Sequence, residues 1–168
     1  TPNNDGAIEL LSEKLEKIGF NCEIIEFTEE GTEPIKNLWA QIGKQSPCLS
    51  FAGHTDVVPV ADEDSWTSPP FEGRNDGNII IGRGAADMKG SISSFVSAAS
   101  NYLDECSKEF KGSIAFIITG DEEGVAINGT RKLLQWMDNN GHKFDDCIVG
   151  EPTNPNKLGE MIKIGRRG

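Results

Sequence analysis

No cysteine pair in this sequence is spaced to hold a structural metal. Cys22, Cys48, Cys106 and Cys147 are scattered, with no Cys-x-x-Cys, which suits neither a disulfide framework nor a zinc finger. Reduced, mostly buried thiols in a cytoplasmic protein are the expectation. No apolar run approaches the ~20 residues that a membrane span needs, and no basic-then-apolar segment opens the chain. Positive charge is scarce, with 16 Lys and Arg against 27 Asp and Glu and a net charge of −11. That balance speaks against nucleic acid or an anionic membrane as a partner. Internal repeats and low-complexity tracts are lacking too. Histidine is reduced to His54 and His142.

What remains is enough for one domain with a real core, at 168 residues. The chain starts Thr-Pro-Asn-Asn without a methionine and stops at Gly-Arg-Arg-Gly, just after a strand-like stretch. The expectation is an N-terminal piece, residues 1–168, of a longer protein.

Ile8, Leu11, Leu15 and Ile18 keep the three-and-four spacing of one helix face, so residues 4–18 read as a helix capped by Asn4 or Asp5. Strands are expected at 21–27, 37–42 and 48–52, then at 78–81, 113–119 and 161–164, with a short buried one at 147–149. Helices are expected at 88–104 and 129–137, the second turning Leu133, Leu134 and Met137 inward. Between them lies a long irregular stretch, 62–71, in which Trp66 and Phe71 are expected to pin the loop to the core. Helices alternating with apolar strands give an α/β fold, a mostly parallel mixed sheet flanked by helices.

The chemistry gathers at the predicted strand exits. Phe51-Ala-Gly-His-Thr-Asp56 places His54 and Asp56 two apart at the end of a strand, pointing the same way. Asp87, Glu122, Glu123 and Glu151 each come after a predicted element at a similar place, and parallel strands bring such exits to one edge. One imidazole among several carboxylates is stable if the acids are protonated or bridged by a cation. The donor set suits zinc, with cobalt or manganese as alternatives. The adjacent Glu122-Glu123 pair fits metal-assisted hydrolysis, in which one carboxylate binds metal and the other shuttles the proton of the attacking water. Gly82-x-Gly84 could open a dinucleotide loop, but Asp87 stands where the third glycine belongs and would oppose a pyrophosphate.

Four blocks, Gly53-His-Thr-Asp-Val-Val-Pro59, Gly82-Arg-Gly-Ala-Ala-Asp-Met-Lys-Gly90, Asp121-Glu-Glu123 and Gly150-Glu-Pro152, resemble in order the motifs of the dinuclear zinc aminoacylase and carboxypeptidase G2-type metallopeptidases. The resemblance implies a zinc-exopeptidase-like catalytic domain, incomplete here. His54 and Glu151 would bind the first zinc, Asp87 would bridge two zincs, and Glu123 would bind the second. Glu122 would be the general base and acid, and Asp56 would sit behind His54 and hold its ring. Arg166 resembles a position that contacts a substrate carboxylate. Trp66 with Pro69-Pro-Phe71, Asn128-Gly-Thr130 and Gly165-Arg-Arg-Gly168 are similar to the branch that cleaves the amide of N-succinyl-LL-2,6-diaminopimelate in lysine biosynthesis. By the same resemblance the second zinc needs a further histidine, and a lid and dimerisation domain comes next in a homodimeric protein. His142 matches no motif and is not expected to be a ligand. The isolated chain is expected to hold one zinc and turn over little.

Overall fold

A computed structural model describes residues 6–106 and 110–164. Its strands are β1 (Asn21–Phe27), β2 (Ile35–Gly43), β3 (Cys48–His54), β4 (Arg74–Asn75), β5 (Ile80–Ile81), β6 (Ser113–Thr119) and β7 (Asp146–Val149), and its helices are α1 (Ala7–Lys17), α2 (Gly90–Glu105) and α3 (Thr130–Asn139). Five of the strands form a sheet of order β1-β2-β6-β3-β7. The β1–β2 and β2–β6 pairs are antiparallel, while β3 runs parallel to both β6 and β7. The sheet is therefore mixed, and its parallel part is the half that carries the site.

Period-two alternation sorts the side chains into two cores. Leu38 and Ala40 of β2 and Phe116 and Ile118 of β6 join Ile8 and Leu15 of α1 and Ile92, Ala99 and Leu103 of α2 on one face. Trp39, Ala115 and Ile117 point the other way, onto Leu133 and Met137 of α3. The result is a helix–sheet–helix sandwich. Phe116 centres the first core, its ring 5.4 Å from Phe20, 5.2 Å from Phe95 and 6.1 Å from Phe51. Full burial of one such side chain stabilises by about 1.5–3 kcal/mol.

Several expectations change. Leu134 is 40% exposed, because the single apolar stripe of α3 is spent on Leu133 and Met137. The β5 pair is not part of the main sheet; it forms a two-stranded hairpin with β4. β7 is an exposed edge strand rather than a buried one. Residues 161–164 form no strand with any described residue, and Ile162 and Ile164 stand in solvent. An apolar run reads as a strand in sequence, but a strand needs a ladder partner. Phe71 does not pin its loop, being 68% exposed. The loop is held instead by the Arg83 guanidinium over the Trp66 ring at 5.1 Å, and by the Arg83 backbone N–H donating to the Pro70 carbonyl at 2.7 Å. The proposed caps Asn4 and Asp5 lie outside the described residues, and Gly6 is the residue at the helix start.

The register explains the convergence. His54 on β3 pairs with Thr119 on β6, and Ala52 with Val149 on β7. The carboxyl ends of three parallel strands thus lie level, and the residues just beyond them, Asp56, 121–123 and Glu151, emerge on one edge.

Candidate metal centre

His54 is the last residue of β3, not a residue beyond it, and is buried to 1% exposure. Its backbone N–H meets the Met88 sulfur at 3.3 Å. Its ring Nδ1 lies 3.0 Å from the Asp56 carbonyl oxygen. A carbonyl can only accept, so Nδ1 carries the proton and Nε2 offers its lone pair. The Asp56 carboxylate is farther from the ring, at 3.6 Å. Asp56 thus sits behind His54 and holds the ring through its main chain, while its carboxylate accepts from the backbone N–H groups of Glu122 at 3.1 Å and Glu123 at 2.9 Å.

Around Nε2 stand Asp87 Oδ1 at 3.2 Å, Glu151 Oε1 at 3.3 Å and Glu122 Oε2 at 3.8 Å. Asp87 reaches this place from a tight turn, 85–89, that precedes α2, rather than from the exit of a sheet strand. The helix accordingly starts at Gly90, later than the sequence suggests, and Asp87 keeps an extended backbone (φ −123°, ψ 98°). Gly84 opens the turn at φ +83°, where a β-carbon would lie 2.6 Å from Val57 Cγ1. Glu151 is brought in behind β7, where the Ser91 hydroxyl donates to the Gly150 carbonyl.

His54 Nε2 and Asp87 Oδ1 are buried without a hydrogen-bond partner. A buried lone pair facing the buried Asp87 Oδ1 and two partly exposed glutamates calls for a cation. Two sets of side chains have ligand atoms within 4.8 Å of one another: His54, Asp87 and Glu123, and His54, Glu122 and Glu151. Nitrogen and carboxylate donors of this kind fit a divalent metal. The acids show the strain of crowding. Burial, and next the Asp87 charge, raise the pKa of both Glu123 and Glu151. For His54 the largest influence, burial, pushes the pKa down, but the Asp56 contacts and the Glu151 and Glu122 charges together carry it up.

All five acids expected at the site and His54 are therefore in one cluster. Arg166 lies outside the described residues. His142 stands apart, its ring 5.2 Å from Trp136 and 5.0 Å from Trp39, with Glu23 at 3.7 Å, and it joins neither set. Sequence reasoning missed Met88, whose sulfur backs His54, and Ser91, which fixes the approach to Glu151. Neither residue type announces such a role.

The family model for peptidase family M20/M25/M40 matches residues 50–165. The chain belongs to this family. A divalent metal centre is implied by that membership together with the cluster. Among similar proteins, succinyl-diaminopimelate desuccinylase of Methylorubrum populi is 54% identical over 100% of this chain and 43% of its own length. That of Beijerinckia indica is 54% identical over 100% of this chain and 44% of its own length. The chain thus spans less than half the length of these curated relatives. A solved M20 family metallo-carboxypeptidase from Sulfolobus solfataricus superimposes with a TM-score of 0.69 at 25% identity, covering 87% of this chain and 32% of the other. The helix–sheet–helix sandwich is therefore shared with a solved member of the family. No helix among the described residues is long and apolar enough to cross a membrane.

Proposed function

We propose that this chain is the N-terminal part of the catalytic domain of an enzyme that hydrolyses N-succinyl-LL-2,6-diaminopimelate. The products are succinate and LL-2,6-diaminopimelate, and one water is consumed for each amide bond broken. The observation that carries the reading is the cluster of His54 Nε2 and its ring of carboxylates, in a chain 54% identical to proteins named as desuccinylases.

In this reading His54 and Glu151 would hold a first zinc, Glu123 would hold a second, and Asp87 would serve both. Two zincs serve the complete protein, cobalt is the alternative metal, and the remaining histidine ligand comes from chain beyond this one. When bound, zinc lowers the pKa of a coordinated water toward ~7 and polarises the amide carbonyl. Glu122 takes the proton from the attacking water and gives it to the leaving nitrogen. Its carboxylate is half exposed beside the buried His54 ring, which leaves it free to meet substrate. Asp56 holds the His54 ring and the Glu122–Glu123 backbone together. Arg166 pairs with a carboxylate of the substrate, a contact for which a guanidinium is suited. The complete protein works as a homodimer on this small molecule. The four free thiols of this chain, of which Cys48 is buried and Cys147 exposed, fit the reducing cytoplasm.

The test is a rate comparison on the complete zinc-loaded protein. N-succinyl-LL-2,6-diaminopimelate, N-acetylornithine and a dipeptide are offered in parallel, and release of free amine is monitored. Preference for the succinylated substrate by kcat/KM supports the reading, and faster turnover of either competitor assigns the chain to a sibling activity. The isolated chain should bind zinc with little turnover, so substantial activity from it alone would refute that part.

A further inference from the structure

We propose that Asp121 is a positioning residue, which holds the loop 121–128 so that Glu122 and Glu123 reach the metal centre, and that Asn128 anchors the same loop to the fold. This deepens the proposed function and rests on it, since it takes Glu122 and Glu123 as the proton shuttle and a metal ligand.

The sequence places a third acid directly before the glutamate pair, yet Asp121 takes part in neither ligand set. It is 7% exposed. A buried carboxylate must have its oxygens met, and here backbone N–H groups meet them. Oδ1 accepts from Ala126 at 3.2 Å and Oδ2 from Asn128 at 3.0 Å. The Asp121 N–H itself donates to the Thr119 hydroxyl at 3.1 Å, tying the start of the loop to the end of β6. One carboxylate thereby closes the far limb of the loop onto its beginning. Ala126 is kept at φ +54°, a conformation that residues other than glycine seldom adopt, beside that bond.

The near limb is held from the other side. Asp56 accepts from the N–H groups of Glu122 and Glu123. Two buried carboxylates thus grip one loop at four backbone N–H groups, and the two glutamate side chains are left to face His54. Asp56 also touches the His54 ring, whereas Asp121 does not, so the effect of Asp121 can pass only through the loop.

Asn128 fixes the loop to its surroundings. It is fully buried, and its side-chain nitrogen donates to Thr32 Oγ1 at 2.8 Å and to the Glu33 carbonyl at 3.0 Å. Its side-chain oxygen accepts from Lys132 Nζ at 2.7 Å, and its carbonyl accepts from Asn37 Nδ2 at 3.0 Å. Every polar atom of Asn128 is therefore used, which gives the network a single arrangement. It spans the turn before β2, β2 itself and the first turn of α3. Gly129 completes the fit, because a β-carbon there would lie 2.1 Å from the Asp121 carbonyl oxygen.

The experiment uses the complete protein in four forms: wild type, Asp121→Asn, Asn128→Ala and Leu103→Ala. Asp121→Asn keeps the size but turns an NH2 group toward a backbone N–H. Leu103, a core residue some 13 positions along α2 from Gly90, is roughly 20 Å of helix away and reports on lost stability alone. Each form is checked for folding by circular dichroism, titrated with zinc by calorimetry, and assayed for kcat and KM on the succinylated substrate. Asp121→Asn should lower kcat by about tenfold or more with KM within about twofold, and should weaken zinc binding. Asn128→Ala should show the same signature to a smaller degree, and stands in if Asp121→Asn does not fold. Leu103→Ala should melt earlier with kcat retained. Unchanged kcat and zinc affinity in the folded loop variants would overturn the proposal, as would an equal loss of kcat in Leu103→Ala. If wild type binds zinc but does not cleave the substrate, the assigned reaction fails, and the zinc titration still decides the role of Asp121.

Discussion

The Asp56 carboxylate accepts the backbone N–H of Glu122 at 3.1 Å from each of its oxygens. The same residue presents its carbonyl oxygen to the His54 ring. A single aspartate therefore sets both the tautomer of the buried imidazole and the place of the adjacent glutamates. The ring and the Glu122–Glu123 pair come from β3 and from the loop after β6, two segments distant in sequence that the parallel pairing of β3 and β6 brings side by side.

Asp56→Asn separates these two tasks. The carbonyl is retained, so the ring keeps its hydrogen bond. One carboxylate oxygen becomes an NH2 group that cannot accept from Glu122 or Glu123. The oxygen that remains, in the place of Oδ2, still reaches both N–H groups but without a charge, and a charged acceptor is worth about 1 kcal/mol more than a neutral one. Denaturant unfolding of the zinc-free chain should show a loss of that size. Asp56→Asn in the complete protein should lose kcat far more than KM, and unaltered kcat would show that the carboxylate is dispensable for placing Glu122.

The metal centre's own contribution to the pH dependence of the zinc-free chain comes from the raised pKa values of Glu123, Glu151 and His54. A group whose folded pKa lies above its unfolded value binds more protons when folded, so stability falls as pH rises between the two. The glutamate contribution is present below about pH 4.3 and is lost as pH climbs through their folded values. The His54 contribution is present below about pH 6.5 and is lost above it. Thermal melts in the presence of a chelator should therefore decline over both windows relative to a Glu123→Gln, Glu151→Gln, His54→Gln variant, in which the centre no longer titrates. Zinc must displace these protons, so its apparent affinity should rise with pH over the same range. Calorimetry in buffers of different ionisation enthalpy will count the protons released. Proton-free binding would mean that these groups are already ionised in the metal-free protein.

Much of this architecture is legible in the residues. The three-and-four spacing of Ile8, Leu11 and Leu15 and the alternation in 113–119 report burial directly, because burial imposes those periods. His54, Glu123 and Glu151 could be grouped before any coordinates, since level strand ends bring the residues at and just beyond them to one edge, whereas Asp87 joins them from the 85–89 turn, which the strand-exit argument does not foresee. Other features depend on neighbours across space. Residues 161–164 are as apolar as a strand, yet strand formation is a property of a pair. Phe71 is aromatic, and only the packing shows that Arg83 and Trp66 hold the loop without it. The division of labour within Asp56, carbonyl to one partner and carboxylate to another, leaves no trace in composition or spacing.

The network under the glutamates gives a stability prediction at a backbone position. Gly129 sits at φ −99°, ψ −139°, which by φ alone a side chain could adopt. A β-carbon would nevertheless fall 2.1 Å from the Asp121 carbonyl oxygen and 2.8 Å from Thr119 Oγ1. The loop cannot yield without breaking the Asn128 contacts. Gly129→Ala should cost about 3 kcal/mol or more, at the upper end of single substitutions. Urea unfolding measures it, and a loss below about 1 kcal/mol would show that the loop relocates freely.

Asp87 should have opposite effects with and without metal. Its charge is the second-largest cause, after burial, of the raised pKa values of Glu123 and Glu151, so in the empty centre it adds repulsion. Asp87→Asn removes that charge while keeping the side-chain size. The zinc-free variant should consequently be at least as stable as the zinc-free wild type near neutral pH. Its ligand oxygen is also weakened, and with it the set of His54, Asp87 and Glu123. Zinc at about a hundred times its Kd stabilises a folded protein by about 2.7 kcal/mol, which for a chain of this size is roughly 5–10 °C in Tm. Wild type should show that shift on adding zinc to chelator-treated protein, and Asp87→Asn should show little of it. Equal shifts in both proteins would remove Asp87 from the metal centre. A zinc-free variant that melts well below wild type would instead make Asp87 a structural residue of the 85–89 turn.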